Sequence, residues 1–213
     1  MSKVKVDQHA TARTRARYQR ISKLYDLMEI LPEQKYMAWR KHLWSFVEGP
    51  RVLEVGVGTG KNMHYYPQGV SVTGIDLTPG MLDQARQKAA SLNLDTDVEL
   101  RIGDAQSLEF QDNSFDAAVA TFVFCSIPDP ALGLMELQRV VKPGGQIVLM
   151  DHVRSKNPLL GFLMEILNPF IVRMMGANIN RRTVENVRRS GLVVEREENL
   201  ASNDIFKLII AHS

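Results

Sequence analysis

A single cysteine, Cys125, stands in 213 residues. One thiol builds neither a disulfide framework nor a multi-cysteine zinc site, and it fits a reducing compartment. No stretch reaches about 18 apolar residues free of charge, the length a spanning helix needs. The most apolar segment, Leu159–Met175, is interrupted by Glu165 and Pro169. The opening MSKVKVDQHA lacks the apolar core of a signal peptide. The expectation is a cytoplasmic protein, peripheral to a membrane if it meets one. Internal repeats and low-complexity tracts are also missing. The basic residues lack interleaved stacking aromatics, and no NPPY-like tetrapeptide follows the fourth strand, so nucleic acid is not an expected partner. No acidic cluster suggests a metal site, and none is expected.

What is present is a globular balance, 45% hydrophobic and 23% charged. The length suits one domain. Charge is uneven. Residues 1–50 hold 10 Lys/Arg against 5 Asp/Glu, and the remainder 16 against 19. A basic front end suits phosphate or an anionic surface, and equally a solvated helix face. Tyr18, Ile21, Leu24, Tyr25, Met28 and Leu31 recur at helical spacing, predicting a helix over residues 10–31. Arg13, Arg15, Arg17, Arg20 and Lys23 crowd its turns. Pro32 should interrupt it, with a second helix over 33–47 carrying Tyr36, Trp39, Leu43 and Phe46 as its apolar stripe.

After Pro50 the texture becomes strand, glycine-rich turn, helix, strand. Strands are expected at 51–56, 71–76, 97–102, 115–120 and 146–150, with helices from Gly60 and over 79–92 and 130–141. Lys142-Pro-Gly-Gly145 reads as a turn. Segments 192–199 and 205–212 read as a hairpin. The alternation implies an α/β, Rossmann-like, doubly wound sheet of seven strands, mostly parallel, with an antiparallel C-terminal edge hairpin. Residues 1–48 form an N-terminal helical segment that could contact a membrane over 10–31, and 49–213 the main domain. The stretch 153–190 breaks the alternation. It is either a core helix pair or a cap over a substrate pocket, and its place after the fifth strand, at the carboxyl edge of the sheet, favours the cap.

Val52-Leu-Glu-Val-Gly-Val-Gly-Thr-Gly60 follows a buried strand. Gly56, Gly58 and Gly60 allow unusual dihedrals and close approach of backbone N–H groups to a ligand. The dinucleotide pattern places its third glycine one position later, which argues against a diphosphate and a nicotinamide oxidoreductase. Asp76 ends the second strand, where a carboxylate can accept two ribose hydroxyls. Asp104, in Gly103-Asp-Ala-Gln106, can meet an amino-purine. Together these suit adenosine without a diphosphate.

With Gly74-Ile-Asp-Leu-Thr-Pro-Gly-Met-Leu82, Ser114-Phe-Asp116 and Arg139-Val-Val-Lys-Pro-Gly-Gly145, these motifs resemble class I S-adenosylmethionine-dependent methyltransferases over about residues 48–152. The resemblance implies S-adenosyl-L-methionine as cofactor. Gly56, Gly58 and Gly60 would then hold its methionine part, and Glu54 would orient the loop and the amino group. Asp76 would bind ribose, Leu77 would pack on adenine, and Asp104 and Ala105 would meet the adenine edge. Thr121 and Phe122 would line the methyl-transfer site. Tyr25, in Leu24-Tyr-Asp26, resembles an element of quinone-type methyltransferases that closes over the cofactor, and would equally serve as a helix staple.

His152, after the fifth strand, is the candidate base, against a reading as a hydrogen-bonded turn residue. A histidine there is similar to one in bacterial phospholipid N-methyltransferases and in membrane-associated alkyl-thiol S-methyltransferases. Tyr65-Tyr-Pro67, Phe124-Cys-Ser-Ile127 and Gly176-Ala-Asn-Ile-Asn-Arg181 echo the latter group, whose hydrophobic anchor helix this sequence lacks. Cys125 reads as a small buried hydrophobe rather than a nucleophile. The leading expected acceptor is a small amphiphile, foremost a phospholipid amine, whose phosphate Arg15, Arg17 or Arg181 could hold. Alkyl thiols and a quinone ring carbon follow, and a cofactor-binding sensor is the non-enzyme alternative. Oligomeric state is not legible.

Overall fold

The computed structural model describes residues 5–28, 30–92, 94 and 96–213, without the side chains of Leu31 and Met175. The first four residues of the 1–48 segment and the Leu31 side chain of the expected stripe therefore lie outside the described residues.

The strands are β1 (Arg51–Val55), β2 (Ser71–Asp76), β3 (Asp97–Ile102), β4 (Phe115–Thr121), β5 (Val141–His152), β6 (Val193–Asn199) and β7 (Phe206–His212). They form one sheet in the order β3-β2-β1-β4-β5-β7-β6. Pairing is parallel from β3 to β5, and β7 runs antiparallel to both β5 and β6. The antiparallel strand thus lies one in from the edge. The edge strand is β6, whose Glu195, Arg196, Glu197 and Glu198 discourage further pairing.

Period-two alternation divides the core. Leu53, Val55, Ala118, Ala120, Ile147 and Leu149 face one layer with Leu134, Leu137 and Val187. Val52, Val72, Ala117, Val119, Val148 and Met150 face the other with Leu43, Trp44, Leu82 and Ala85. Strands buried on both faces need continuous apolar runs, which is why they were readable.

The helices are α1 (Gln8–Met28), α2 (Ile30–Trp44), α3 (Pro79–Ser91), α4 (Pro130–Val140), α5 (Pro158–Met175) and α6 (Thr183–Arg189). Proline at the first position starts α3, α4 and α5, and the Asp129 and Asn157 side chains cap α4 and α5.

Several expectations need correction. Pro32 falls within α2 and does not separate two helices at its own position; residue 29, between α1 and α2, lies outside the described residues. The turn after Gly60 opens a short 310 helix, Lys61–Tyr65, not an α-helix. Lys142–Gly145 is absorbed into β5, where an irregularity between Phe115 and Ala117 takes up the extra length and Asp116 pairs with Lys142. Only part of the expected apolar stripe of α1 faces inward: Tyr18, Ile21 and Tyr25 are half-buried, whereas Leu24 is 57% exposed and Met28 50%. Within 153–190, α6 packs against α4 and β6 as part of a flanking layer, so only α5 stands outside the layers.

Candidate active site

The chain runs from β1 outward to β3, then returns to place β4 on the other side of β1. This makes the carboxyl ends of β1 and β4 a topological switch point, where open α/β sheets bind ligands. A cleft with about 730 Å³ of open space lies there, lined by Gly56, Gly58, Asp76, Leu77, Asp104 and Ala105 among others.

The glycine turn is built by necessity. Gly56 has φ 68°, and a Cβ there would lie 2.4 Å from Val123 Cγ2. Gly58 has φ 57°, but a Cβ there would meet nothing nearer than the Gly56 carbonyl oxygen at 3.9 Å. The first glycine makes the turn, and the second presents bare backbone to a ligand. Gly60, the N-cap of the 310 helix, is outside the lining.

Asp76 is held at the mouth of this turn. Its Oδ2 accepts the Gly58 N–H at 3.0 Å and its Oδ1 the Thr78 N–H at 2.8 Å. Burial raises its pKa, and those two bonds oppose the rise. Asp104 accepts from the Gln106 N–H at 2.9 Å and from Thr11 Oγ1 at 3.3 Å.

Glu54 is 1% exposed and outside the lining. It accepts hydrogen bonds from Tyr66 Oη and, at 2.7 Å, from Asn62 Nδ2, which also donates to Thr121 Oγ1 at 3.0 Å. Burial pushes its pKa up to about 7, against these hydrogen bonds and the nearby Arg40. Arg40 in turn donates to Asn62 Oδ1 and to Glu33. Glu54 therefore braces the turn from behind, through Asn62.

On the acceptor side, Thr121 and Phe122 line the cleft together with Val123, Ser126 and Ile127. Phe122 has φ 58°, costly for an aromatic residue, and its N–H donates to the Met150 carbonyl at 2.7 Å. Its ring packs 4.6 Å from Tyr36 and 6.3 Å from Phe206. His152 is outside the lining, edge-on to Phe206 at 5.1 Å. Its Nδ1 is buried and has no partner among the described residues. Burial lowers its pKa, so the neutral ring persists into more acid solution than free histidine. Beside it, burial pushes the Asp151 carboxyl up to about 7, opposed by bonds from Cys125, the His152 N–H and Thr183. Burial likewise pushes the Cys125 thiol well up, which suits a packed group and not a nucleophile.

Tyr25 lines the cleft beneath the Lys61 ammonium, 5.6 Å from its ring centroid. Thr14 and Tyr18 of α1 line it too, and the Tyr18 hydroxyl is 2.5 Å from Ser126 Oγ. Tyr18 and Ser126 were missed as site residues. A signal existed: Thr11, Thr14, Tyr18, Ser22 and Tyr25 recur at spacings of three and four, so the inward stripe of α1 carries hydroxyls.

A glycine turn at the switch point of a parallel sheet, with carboxylates closing β2 and following β3, defines a nucleoside-binding site of the methyltransferase type. The exposed backbone at Gly58 and the open cleft beside both acids fit such a cofactor. Residues 53–149 match the family described as a methyltransferase domain. The chain is 45% identical over 112 residues to a phosphatidylethanolamine N-methyltransferase of Cereibacter sphaeroides, covering 52% of this chain and 55% of that protein. It therefore spans little more than half the length of that relative. It is 34% identical over 167 residues to a demethylmenaquinone methyltransferase of Staphylococcus epidermidis, covering 75% and 68% of the two chains. A solved S-adenosylmethionine-dependent methyltransferase from Thermotoga maritima superposes with a TM-score of 0.71 at 20% identity, over 93% of this chain and 99% of that one. The chain belongs to the class I S-adenosylmethionine-dependent methyltransferases, and S-adenosylmethionine is its cofactor.

Proposed function

We propose that the chain methylates the amine headgroup of an amphiphilic acceptor of the phosphatidylethanolamine type. The observation that carries this reading is the surface beside the cleft, where a basic helix and an uncovered apolar helix meet at the mouth. Gly176, which caps α5, lies within 3.4–3.7 Å (from an added Cβ) of the Tyr18 ring and Arg17. An acceptor with an apolar body and a charged head suits such a mouth. The phosphatidylethanolamine N-methyltransferase relative supports the same class.

When bound, the cofactor supplies a sulfonium-activated methyl group. The residues have then to hold it, align a nucleophile and exclude water. Gly56 and Gly58 cradle its amino-acid end, and Glu54 stiffens that turn through Asn62. Asp76 takes the ribose, Leu77 packs on adenine, and Asp104 and Ala105 take the adenine edge. Tyr25 closes over the cofactor, while Thr121 and Phe122 face the methyl-transfer site. An ammonium of pKa about 10 must lose a proton to become a nucleophile. His152, whose buried Nδ1 has no partner among the described residues, is the base we assign to that proton. The cations of residues 10–31 draw the protein to an anionic membrane surface.

C-methylation of a quinone ring is the second reading, favoured by the aromatic cluster of Tyr36, Phe122 and Phe206, of which Phe122 lines the cleft, and by the demethylmenaquinone methyltransferase relative. Incubation with methyl-labelled cofactor and separate amine lipids, quinols and alkyl thiols, read by mass spectrometry, decides. A mass gain of one CH₂ on the amine lipid is expected. A gain on quinol or thiol alone would replace the reading, and cofactor binding without any gain would favour a sensor.

A further inference from the structure

The helix α5 is built inside out. Leu159, Phe162, Ile166, Leu167, Phe170 and Met174 are 51–73% exposed. They fall at spacings that gather them along one side of the helix. The opposite side is the one that packs against the protein. Gly161 abuts the Arg154 guanidinium, Met164 is buried, and Asn168 holds the following segment. Such a run of large apolar side chains, left uncovered, marks an interaction surface.

We propose that α5 is an interfacial helix that lies in the surface layer of an anionic bilayer with its apolar side inserted. The proposal shares with the proposed function the idea of an acceptor taken from a membrane, but it concerns the docking surface and not the acceptor.

Charge argues for lipid over protein. The one acid of α5, Glu165, is paired with Arg154. Arg173 stands exposed within the apolar side, placed to reach lipid phosphates while its stem stays in the apolar layer. The adjoining α1 adds exposed Arg13, Arg20 and Lys23. No helix of the described residues is long and apolar enough to cross a membrane, so α5 would lie flat. At about 1.5 Å per residue its 18 residues extend roughly 27 Å along the surface.

The attachment of α5 also suits the role. Asn168 Nδ2 donates to Asn178 Oδ1 at 3.1 Å, and Asn168 Oδ1 accepts the Ile179 N–H at 2.9 Å. Asn178 donates twice to the Cys125 carbonyl, at 2.8 and 2.9 Å. Cys125 adjoins Ser126, which lines the cleft. A bilayer gripping α5 is thereby held against the acceptor side of the site.

A spin label at Phe170→Cys tests this, since Cys125 is buried and resists labelling. The vesicles contain phosphatidylcholine and phosphatidylglycerol but no amine lipid. On adding them, collision with oxygen should rise and collision with an aqueous nickel complex should fall. An unchanged aqueous environment would overturn the proposal. So would a label already shielded before vesicles are added, which would indicate a second copy of the chain. In parallel, F162S/F170S should lower vesicle partition by about tenfold or more, as expected for two lost aromatic anchors, with cofactor affinity unchanged. Unaltered partition would also overturn it. Because these vesicles carry no acceptor amine, a failed acceptor screen leaves the docking result standing, and a failed docking result leaves the screen standing.

Discussion

Removing the Asp76 carboxylate should cost cofactor affinity by an amount that follows from its hydrogen bonds. One lone pair on each oxygen is already taken, by the N–H groups of Gly58 and Thr78. A carboxylate has about four acceptor positions, so a ribose diol can take one on each oxygen by displacing the Thr78 side chain, which also bonds to Asp76. A hydrogen bond to a charged group contributes about 1.5–3 kcal/mol. Losing two therefore costs roughly 3–6 kcal/mol, or about 10²- to 10⁴-fold in Kd. Asp76→Asn should fare no better than Asp76→Ala, because its amide nitrogen would face the N–H of Gly58 or Thr78, donor against donor. Calorimetric titration with S-adenosylhomocysteine measures the loss, and thermal melting checks the fold. An analogue lacking both ribose hydroxyls should bind wild type and Asp76→Ala nearly alike. A folded variant whose Kd stays within about threefold would refute the assignment, as would a full loss that persists with the analogue.

Gly56→Ala and Gly58→Ala should separate turn-making from ligand approach. Both meet a left-handed backbone penalty of about 1–2 kcal/mol, but only Gly56→Ala collides with Val123. Gly56→Ala should therefore melt lower, while Gly58→Ala loses mainly cofactor affinity; equal melting losses would contradict this. Asp151 has a folded pKa of about 7 against a reference of 3.8. Its neutral form is favoured by folding, so its stabilising contribution is full below about pH 4 and lost as pH rises through about 7, at most about 4 kcal/mol. Glu54 acts in the same direction, from 4.5 to about 7. Denaturant midpoints of Asp151→Asn should decline less between about pH 5 and 8 than those of wild type, and parallel curves would remove the argument. His152→Ala should lower kcat/KM by about 10²-fold and leave cofactor Kd unchanged. In wild type the acid limb of the rate should fall below pH 6.5, since burial lowers this pKa; full activity in the variant would retire His152 as base.

The central strands were readable because they are buried on both faces, so Val52–Val55 and Phe115–Thr121 are apolar apart from Glu54, Asp116 and Thr121. The glycine turn and strand-end acids that the structure gathers at the cleft were readable for a related reason. The demands there fall on backbone shape and strand ends, and these leave glycine and aspartate at fixed places. The first helix was partly misread because periodicity records only where apolar residues recur. Leu24 and Met28 recur on its outer side, while Tyr18 and Tyr25 of the same stripe line the cleft with Thr14, Thr11 reaches Asp104, and Ser22 packs beside Gly80. Lys142–Gly145 misled because breaker residues are tolerated beside an irregular strand pairing, and Pro32 because a proline alone does not fix where a helix is interrupted. Glu54 was visible as a motif position, but its partners Asn62 and Tyr66 could be found only by packing.

The same contrast bears on how acceptor choice is built. The cofactor half rests on β1, β2 and the turns after β2 and β3, whose registers are locked by the sheet. The proposed acceptor wall hangs on the segment after β4, which is held from three directions. The Phe122 N–H is tied to β5 through Met150, Cys125 to the α5 end through Asn178, and Ser126 to α1 through Tyr18. Two of those anchors lie outside the strand–helix alternation, in elements that contribute little to the sheet core. A change in α1 or in residues 158–181 can therefore reshape the acceptor wall without disturbing the nucleoside cleft. Substitutions at Asn178 or Tyr18 should accordingly alter KM for acceptor before they alter cofactor affinity, whereas substitutions at Gly58 or Asp76 should do the reverse.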